Sequence, residues 1–408
     1  MVSRKPDAMK PRRFLKLAPA CVLLATLLSV VPVGAQNASL AGLVEKSGAA
    51  MEAENWQAAL DLNSEAVTRF GKKNPLKAYG AQFGAIYYRK GVCEMKLKRW
   101  SEAMTSFEIC YRDFPNETVA AESGNIFQKM ALLKWGEAAM GAEKWELALS
   151  RFRKFIDERD KTRDRFPQGS FYINMAVCHY QLGHIPEGNE SLEISIRNKD
   201  GFPTPEPGII AGFQALVTAA ILKHNEQALL DFIGKNRGDL VAGPAVMHRY
   251  SRVFLKLAGD AVAADMQRAA IALYQFVPST EEALDDTRAL LKAVSDPQEK
   301  KALEQGLAEL EAESAGKNSP ESIRLAAMAF LHEKNGNVRG AFAAYQELET
   351  FHPDSQNREA NLFNLVRTAS LVAGSGITRG FAETFIKDFP DSQRVPELRE
   401  MMQEDPEP

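Results

Sequence analysis

The sequence repeats itself, and that constrains the fold more than any single motif. Trp56-x-x-Ala59, Trp100-x-x-Ala103 and Trp145-x-x-Ala148 recur at intervals of 44 and 45 residues, so three of the four tryptophans hold one equivalent place. Ile185-x-x-Gly188 and Val338-x-x-Ala341 continue the slot with aliphatic residues. A second echo follows downstream, in Asp113-Phe114-Pro115-Asn116, Phe351-His352-Pro353-Asp354-Ser355 and Phe389-Pro390-Asp391-Ser392. Proline cannot continue a helix interior, so a proline at a set distance behind a helix-opening aromatic marks out a helical hairpin. One hairpin cannot bury its apolar face alone, and a chain of them must stack. No period-two strand pattern of useful length appears. The expected fold is all-α.

In the order and kind of these residues the chain resembles a tetratricopeptide-repeat protein. The fullest unit runs from Ser322 to Asp354, with Leu325, Met328 and Ala329 on its first helix, Gly336-Asn337-Val338 at the turn, then Ala341, Tyr345, Leu348 and a closing Pro353. A second unit carries Tyr87, Gly91, Trp100, Ala103, Phe107, Cys110 and Pro115, and a third Leu132, Gly136, Trp145, Ala148, Phe152 and Phe155. Tyr172, Ala176, Gly183, Gly188 and Leu192 give a fourth. Small residues are expected to let paired helices approach, Gly91 against Ala103 and Ala329 against Ala341, while aromatics fill the space between hairpins. Weaker units surround Trp56 and Ala228. Met247 to Pro278 reads as a hairpin turning at Gly259-Asp260, and helices opening at Thr280 and Pro297 read as another, the second capped by Asp296. At roughly 40 residues per unit, the chain holds about nine hairpins. The resemblance implies a right-handed α-solenoid.

The expected organisation follows. Residues 1–35 are a signal peptide, 36–199 an N-terminal stack, and 200–208 a joint in which Pro203, Pro205 and Pro207 forbid helix. Residues 209–318 form divergent hairpins, 319–394 the C-terminal repeats and 395–408 an acidic tail. Arg4, Lys5, Lys10, Arg12, Arg13 and Lys16 precede the apolar run Leu17–Val33, and Val33-Gly34-Ala35 supplies small residues for cleavage after Ala35. The alternative is a retained anchor, since this run is at the short limit for a membrane span. Arg12-Arg13 leaves twin-arginine export open beside the general route.

Charge follows from that address. The whole chain has 50 basic and 53 acidic residues, a formal −3. Without the signal it has 44 against 52 and stands at about −8. An acidic surface fits neither nucleic acid nor anionic lipid, so no nucleic acid is expected, and membrane contact only through a retained anchor.

No chemistry stands out. His179, His184, His224, His248, His332 and His352 form no metal-ligand spacing, and His179 and His332 share a repeat slot normally held by an aromatic, which reads as packing. Cys178 and His179 point roughly 100° apart on a helix and make a poor nucleophile–base pair. Gly374-Ser375-Gly376 lacks the strand and lysine of a phosphate loop and reads as a hairpin turn. Cys93 and Cys110 share one hairpin, where a bridge is conceivable; buried thiols, with Cys178, are the expectation. No catalytic residue, cofactor or metal is expected.

What the resemblance implies is binding. In such proteins the first helix of each hairpin lines a concave groove for peptides or partner helices. Those positions here are Tyr88, Val92 and Met95; Leu133, Glu137 and Met140; Ile173, Val177 and Tyr180; and, later, Ile323, Phe330, Glu333, Phe363 and Arg367. Tyr88 and Val177 stand where clamps for a terminal carboxylate need lysine and asparagine, so an apolar or amphipathic partner segment is expected. The Phe-Pro-Asp-Ser ends resemble those of bacterial outer-membrane assembly and Tol–Pal accessory proteins. The expected role is a non-catalytic scaffold of the cell envelope, exported to the periplasm or beyond. One alternative is an enzyme, or an enzyme's accessory subunit, with its site in the less regular middle, about Ile209 to Glu313; another is an accessory subunit of an envelope enzyme or membrane complex, tethered by an uncleaved N-terminal helix.

Overall fold

A computed structural model describes residues 35–403, apart from 73, 116–125, 163–168, 200–205, 241–242 and 315. The described residues hold 21 α-helices, a 3-10 turn and no strand, and divide into two compact units between residues 166 and 167. Of the expected signal at 1–35, residues 1–34, with the apolar run that is its alternative as an anchor, lie outside the described residues. No described helix is long and apolar enough to cross a membrane.

The first unit stacks three hairpins: α1 (Ala35–Glu52) with α2 (Trp56–Phe70), α4 (Gly84–Lys96) with α5 (Trp100–Asp113), and α6 (Ile126–Gly141) with α7 (Trp145–Thr162). The short α3 (Pro75–Tyr79) and a 3-10 turn (Gly80–Phe83) join the first pair to the second. The second unit stacks α8 (Gly169–Gln181) with α9 (Ile185–Arg197), α10 (Glu206–Leu222) with α11 (Glu226–Leu240), and α13 (Ser251–Ala263) with α14 (Gln267–Tyr274). It continues with α15 (Thr280–Ala293) and α16 (Pro297–Ser314), α17 (Pro320–Lys334) and α18 (Val338–Phe351), and α19 (Arg358–Val372) and α20 (Ser375–Asp388). A five-residue α12 (Pro244–His248) precedes α13, and α21 (Val395–Gln403) follows α20.

One turn builds seven of these hairpins. Glu54, Lys98, Glu143, Gly183, His224, Asp265 and Gly336 all have positive φ, between 48° and 75°. In each, that residue's N–H donates to the carbonyl three residues back and the next residue's N–H to the carbonyl five back, at 2.8–3.0 Å. These are Schellman closures, which satisfy the last carbonyls of the first helix and reverse the chain. Only two of the seven carry glycine, so the stacking on either side holds the other five in a conformation that L residues resist.

Small residues do let the hairpins close, but against rings. A Cβ added to Gly91 would stand 2.7 Å from Phe107 Cε1, and one on Gly136 2.5 Å from Phe152 Cε1. Gly91 therefore faces Phe107 rather than Ala103, although Ala103, like Ala59, Ala148 and Ala341, is fully buried. The repeated tryptophan serves the next hairpin, since Gly141 of α6 lies against the Trp100 ring.

Four expectations need correction. The segment 200–208 does not separate two stacks: one core runs from Ile173 through Ile209 and Phe213 to Val277, because the apolar α10 packs on both α8 and α9. Residues 206–208 open α10, where Pro207 sits in the first turn and removes an N–H that would have had no partner in the helix; 200–205 lie outside the described residues. The turn in 247–278 falls at Asp265 and not at Gly259-Asp260, which lie inside α13. The small slot after His224 is Leu229, fully buried, and not Ala228. Residues 395–403 are no tail: Val395 and Leu398 are buried against the last hairpin, and only 404–408 lie outside the described residues.

Candidate partner-binding surface

In the first unit, Tyr88, Val92 and Met95 follow one another along α4, and Leu133, Glu137 and Met140 along α6, all half-buried. Each set recurs at three- and four-residue spacing, which holds it on one helix face. The Tyr88 ring lies 5.8 Å from Phe107 and 5.7 Å from Phe127, fixed between α5 and α6. Lys134 Nζ donates to Glu137 Oε2 at 2.6 Å, so the one acid in this row is already paired. The row is thus an aromatic and aliphatic ridge with both a buried and a solvent-facing side.

In the second unit the expected positions separate. Ile173 and Tyr180, 7% and 3% exposed, belong to the core and offer no surface; Val177 between them is half-buried. Tyr180 donates from its hydroxyl to Asn189 Oδ1 at 2.9 Å, and burial lifts its pKa. Farther along, Phe330 is 57% and Ile323 39% exposed on α17. One turn beyond Phe330, Glu333 forms an ion pair with Arg367 of α19, and the Tyr345 hydroxyl donates to Glu333 Oε2 at 3.4 Å. Phe363 is nearly buried, with the Arg394 guanidinium 4.6 Å above its ring. The structure therefore links α17 and α19 through Glu333 and Arg367, with Phe330 a turn away on α17, while Phe363 belongs to the core.

Charged groups inside the stacks escaped the sequence reading. Glu94 of α4, 3% exposed, is paired with Lys90 and accepts from the Ser106 hydroxyl of α5 at 2.6 Å. It stands four residues before its left-handed turn residue, the slot held by His179 and His332 in their repeats and by alanine in the other four. Both histidines thus sit at the seam between paired helices, His179 buried. Glu321 of α17 accepts from the Thr280 N–H of α15 at 2.9 Å and lies 3.2 Å from His352 Nε2. Burial works to raise its pKa, but His352 and the Thr280 donors outweigh it and hold the carboxyl at about 2. Arg358 joins three helices, donating to Glu349 at 2.6 Å and meeting Asp388 at 2.7 Å.

Cys93, Cys110 and Cys178 are buried and unbridged. Burial pushes their thiols up to about 11, 12 and 12, far from a nucleophile's range. Among the described residues no group of three His, Cys, Asp or Glu side chains could hold a metal ion. The described residues of 209–313 form helical hairpins, and a cleft of about 200 Å³ beside α10 is lined by Ile209, Ile210, Leu240, Val246 and Met247 together with Lys199, Glu206, Asp239 and Tyr250.

Residues 85–117 match the family model of a tetratricopeptide repeat. No curated protein matches the sequence. Among solved structures, the C-terminal part of a TPR repeat-containing protein from Cytophaga hutchinsonii is 15% identical, with 78% of this chain and 98% of that one covered and a TM-score of 0.39. A tetratricopeptide repeat protein from Parabacteroides merdae is 11% identical, with 81% and 98% covered and a TM-score of 0.34. The TPR2AB domain of yeast Sti1, solved in complex with an Hsp90 peptide, is 11% identical, with 79% and 98% covered and a TM-score of 0.31. These are likenesses to the chain and no more; what Sti1 binds is a property of Sti1.

Proposed function

We propose that this chain, a tetratricopeptide-repeat protein built of stacked helical hairpins, is a non-catalytic scaffold of the bacterial cell envelope that holds a partner segment along the first helices of its repeats. The observation that carries the reading is the ridge Tyr88, Val92, Met95, Leu133 and Met140, apolar side chains left half-open on adjacent first helices. Core residues of such volume are ordinarily covered, and a contiguous apolar row with solvent on one side is the common form of a protein-binding groove. Phe330 and Ile323 repeat the pattern in the second unit. The partner that suits these rows is an amphipathic helix or extended peptide presenting apolar side chains. Export rests on the sequence of residues 1–35, with cleavage after Ala35.

Two measurements test this. A pulldown from envelope extract should return a discrete partner with the wild-type chain and lose it with Tyr88→Asp/Leu133→Asp. No partner above background would contradict the scaffold. N-terminal sequencing of the protein from its host should begin at Gln36; an intact N-terminus would turn the reading toward a tethered accessory subunit.

A further inference from the structure

The regular spacing fails at one place. Successive left-handed turn residues lie 40 to 45 residues apart as far as Asp265, but 71 residues separate Asp265 from Gly336. Helix α17 nevertheless packs directly on α13 and α14, as the next repeat would, so α15 and α16 are an additional hairpin beside the stack. That hairpin is thinly buried. Helix α15 buries only Thr280, Ala283 and Thr287 of its 14 residues, and α16 only Leu303 and Leu310 of its 18, whereas α10 buries eight of 17.

Its attachment is largely polar. Helix α15 packs on the short α12, where Asp286 Oδ2 accepts from the Ala245 N–H at 3.0 Å and so caps α12. At the far end of α16, Glu313 meets His248 Nε2 of α12 at 3.0 Å and pairs with Arg252 of α13. Glu321 of α17 holds the first N–H of α15. Three carboxylates thus fasten the base, while Leu290 toward the outer end is 39% exposed. On this face His248 Nδ1 is buried without a hydrogen-bond partner.

We propose that the α12–α13 face, with Ala245, His248 and Arg252, is a helix-docking surface whose present occupant is the chain's own α15–α16 hairpin. The hairpin opens as one piece and yields the surface to a partner helix of the same chemistry, one with small residues a turn apart, as Thr280, Ala283 and Thr287 are here, and a carboxylate placed to meet His248 and Arg252. Cooperative opening of a thinly packed supersecondary unit needs far less disruption than unfolding of the core around Phe213 and Phe254.

Hydrogen exchange on the full chain tests the opening, and a labelled synthetic peptide of residues 280–314 tests the surface. Amides of 280–314 should exchange at least tenfold faster than those of α13 and α17. Glu313→Arg, which sets like charges against Arg252, should raise that rate a further tenfold, and Arg252→Glu/Glu313→Arg should restore it. The peptide should bind the Glu313→Arg chain at least tenfold more tightly than wild type, whose surface is occupied. Exchange of 280–314 in step with α13, or failure of the charge swap to restore protection, would overturn the opening. Failure of the peptide to bind the Glu313→Arg chain, or equal binding to both chains, would overturn the docking surface.

Discussion

Gly91 of α4 and Phe107 of α5 fit together so closely that a single added methyl would stand 2.7 Å from the ring. The contact explains how the two helices close: the backbone of one receives the ring of the other. Gly91→Ala should therefore destabilise the first unit by about 1–3 kcal/mol through overpacking. Adding Phe107→Leu should make the alanine nearly harmless, which a double-mutant cycle in urea would show as a coupling of the same size.

The seven left-handed turns make a prediction with opposite signs at two sites. Lys98 has φ 58°, so Lys98→Gly removes a backbone penalty and should stabilise the chain by about 0.5–1 kcal/mol after the added chain entropy of glycine is offset. Gly336 has φ 72° with open space where a Cβ would go, so Gly336→Ala should destabilise by about 1 kcal/mol through the backbone alone. Denaturant midpoints of the two variants against wild type check both signs.

Glu321 couples stability to pH. Its folded carboxyl lies at about 2, below the roughly 4.3 of an unfolded glutamate. The stabilisation it supplies is present above the unfolded value and is lost as pH falls through the folded one, on the order of 3 kcal/mol across that window. Glu321→Gln should be less stable than wild type at pH 7, and the gap should close as pH is lowered from about 4 toward 2. A gap independent of pH would show that the carboxylate is not what holds α15 to α17.

The thiols should be inert while the chain is folded. With Cys93, Cys110 and Cys178 pushed to about 11, 12 and 12, little thiolate exists at pH 8, and burial blocks access to it. A chromogenic disulfide reagent should label them in denaturant and scarcely at all without it.

Much of this fold was legible in the sequence because packing repeats. Trp56, Trp100 and Trp145 open second helices at one position, and Asp296 and Ser319 cap the helices they precede, accepting N–H groups at 2.8 and 3.2 Å. The turn at Asp265 was not legible, since its left-handed residue is an aspartate and Gly259 nearby looked the better candidate, yet Gly259 sits in α13 with open space around it. The closing helix α21 was obscured by its acidic surroundings, although Val395, Leu398 and Met402 already carry helical spacing. For the groove, repeat position named Phe330, which is exposed, and Ile173 and Tyr180, which are buried. Whether such a position faces solvent depends on the next hairpin, here α10 packing on α8, and no periodicity within one repeat encodes that.

The central claim is that partners are held by the first helices and not by the opposite face. Site-specific photocrosslinking in the native host measures this directly, with a benzophenone side chain placed at Val92 or Phe330 and, as controls, at the exposed Thr105 of α5 and Thr350 of α18. The account predicts one discrete crosslinked protein from Val92 or Phe330 and none from Thr105 or Thr350. The same product from all four positions, or products from the two threonines alone, would contradict it.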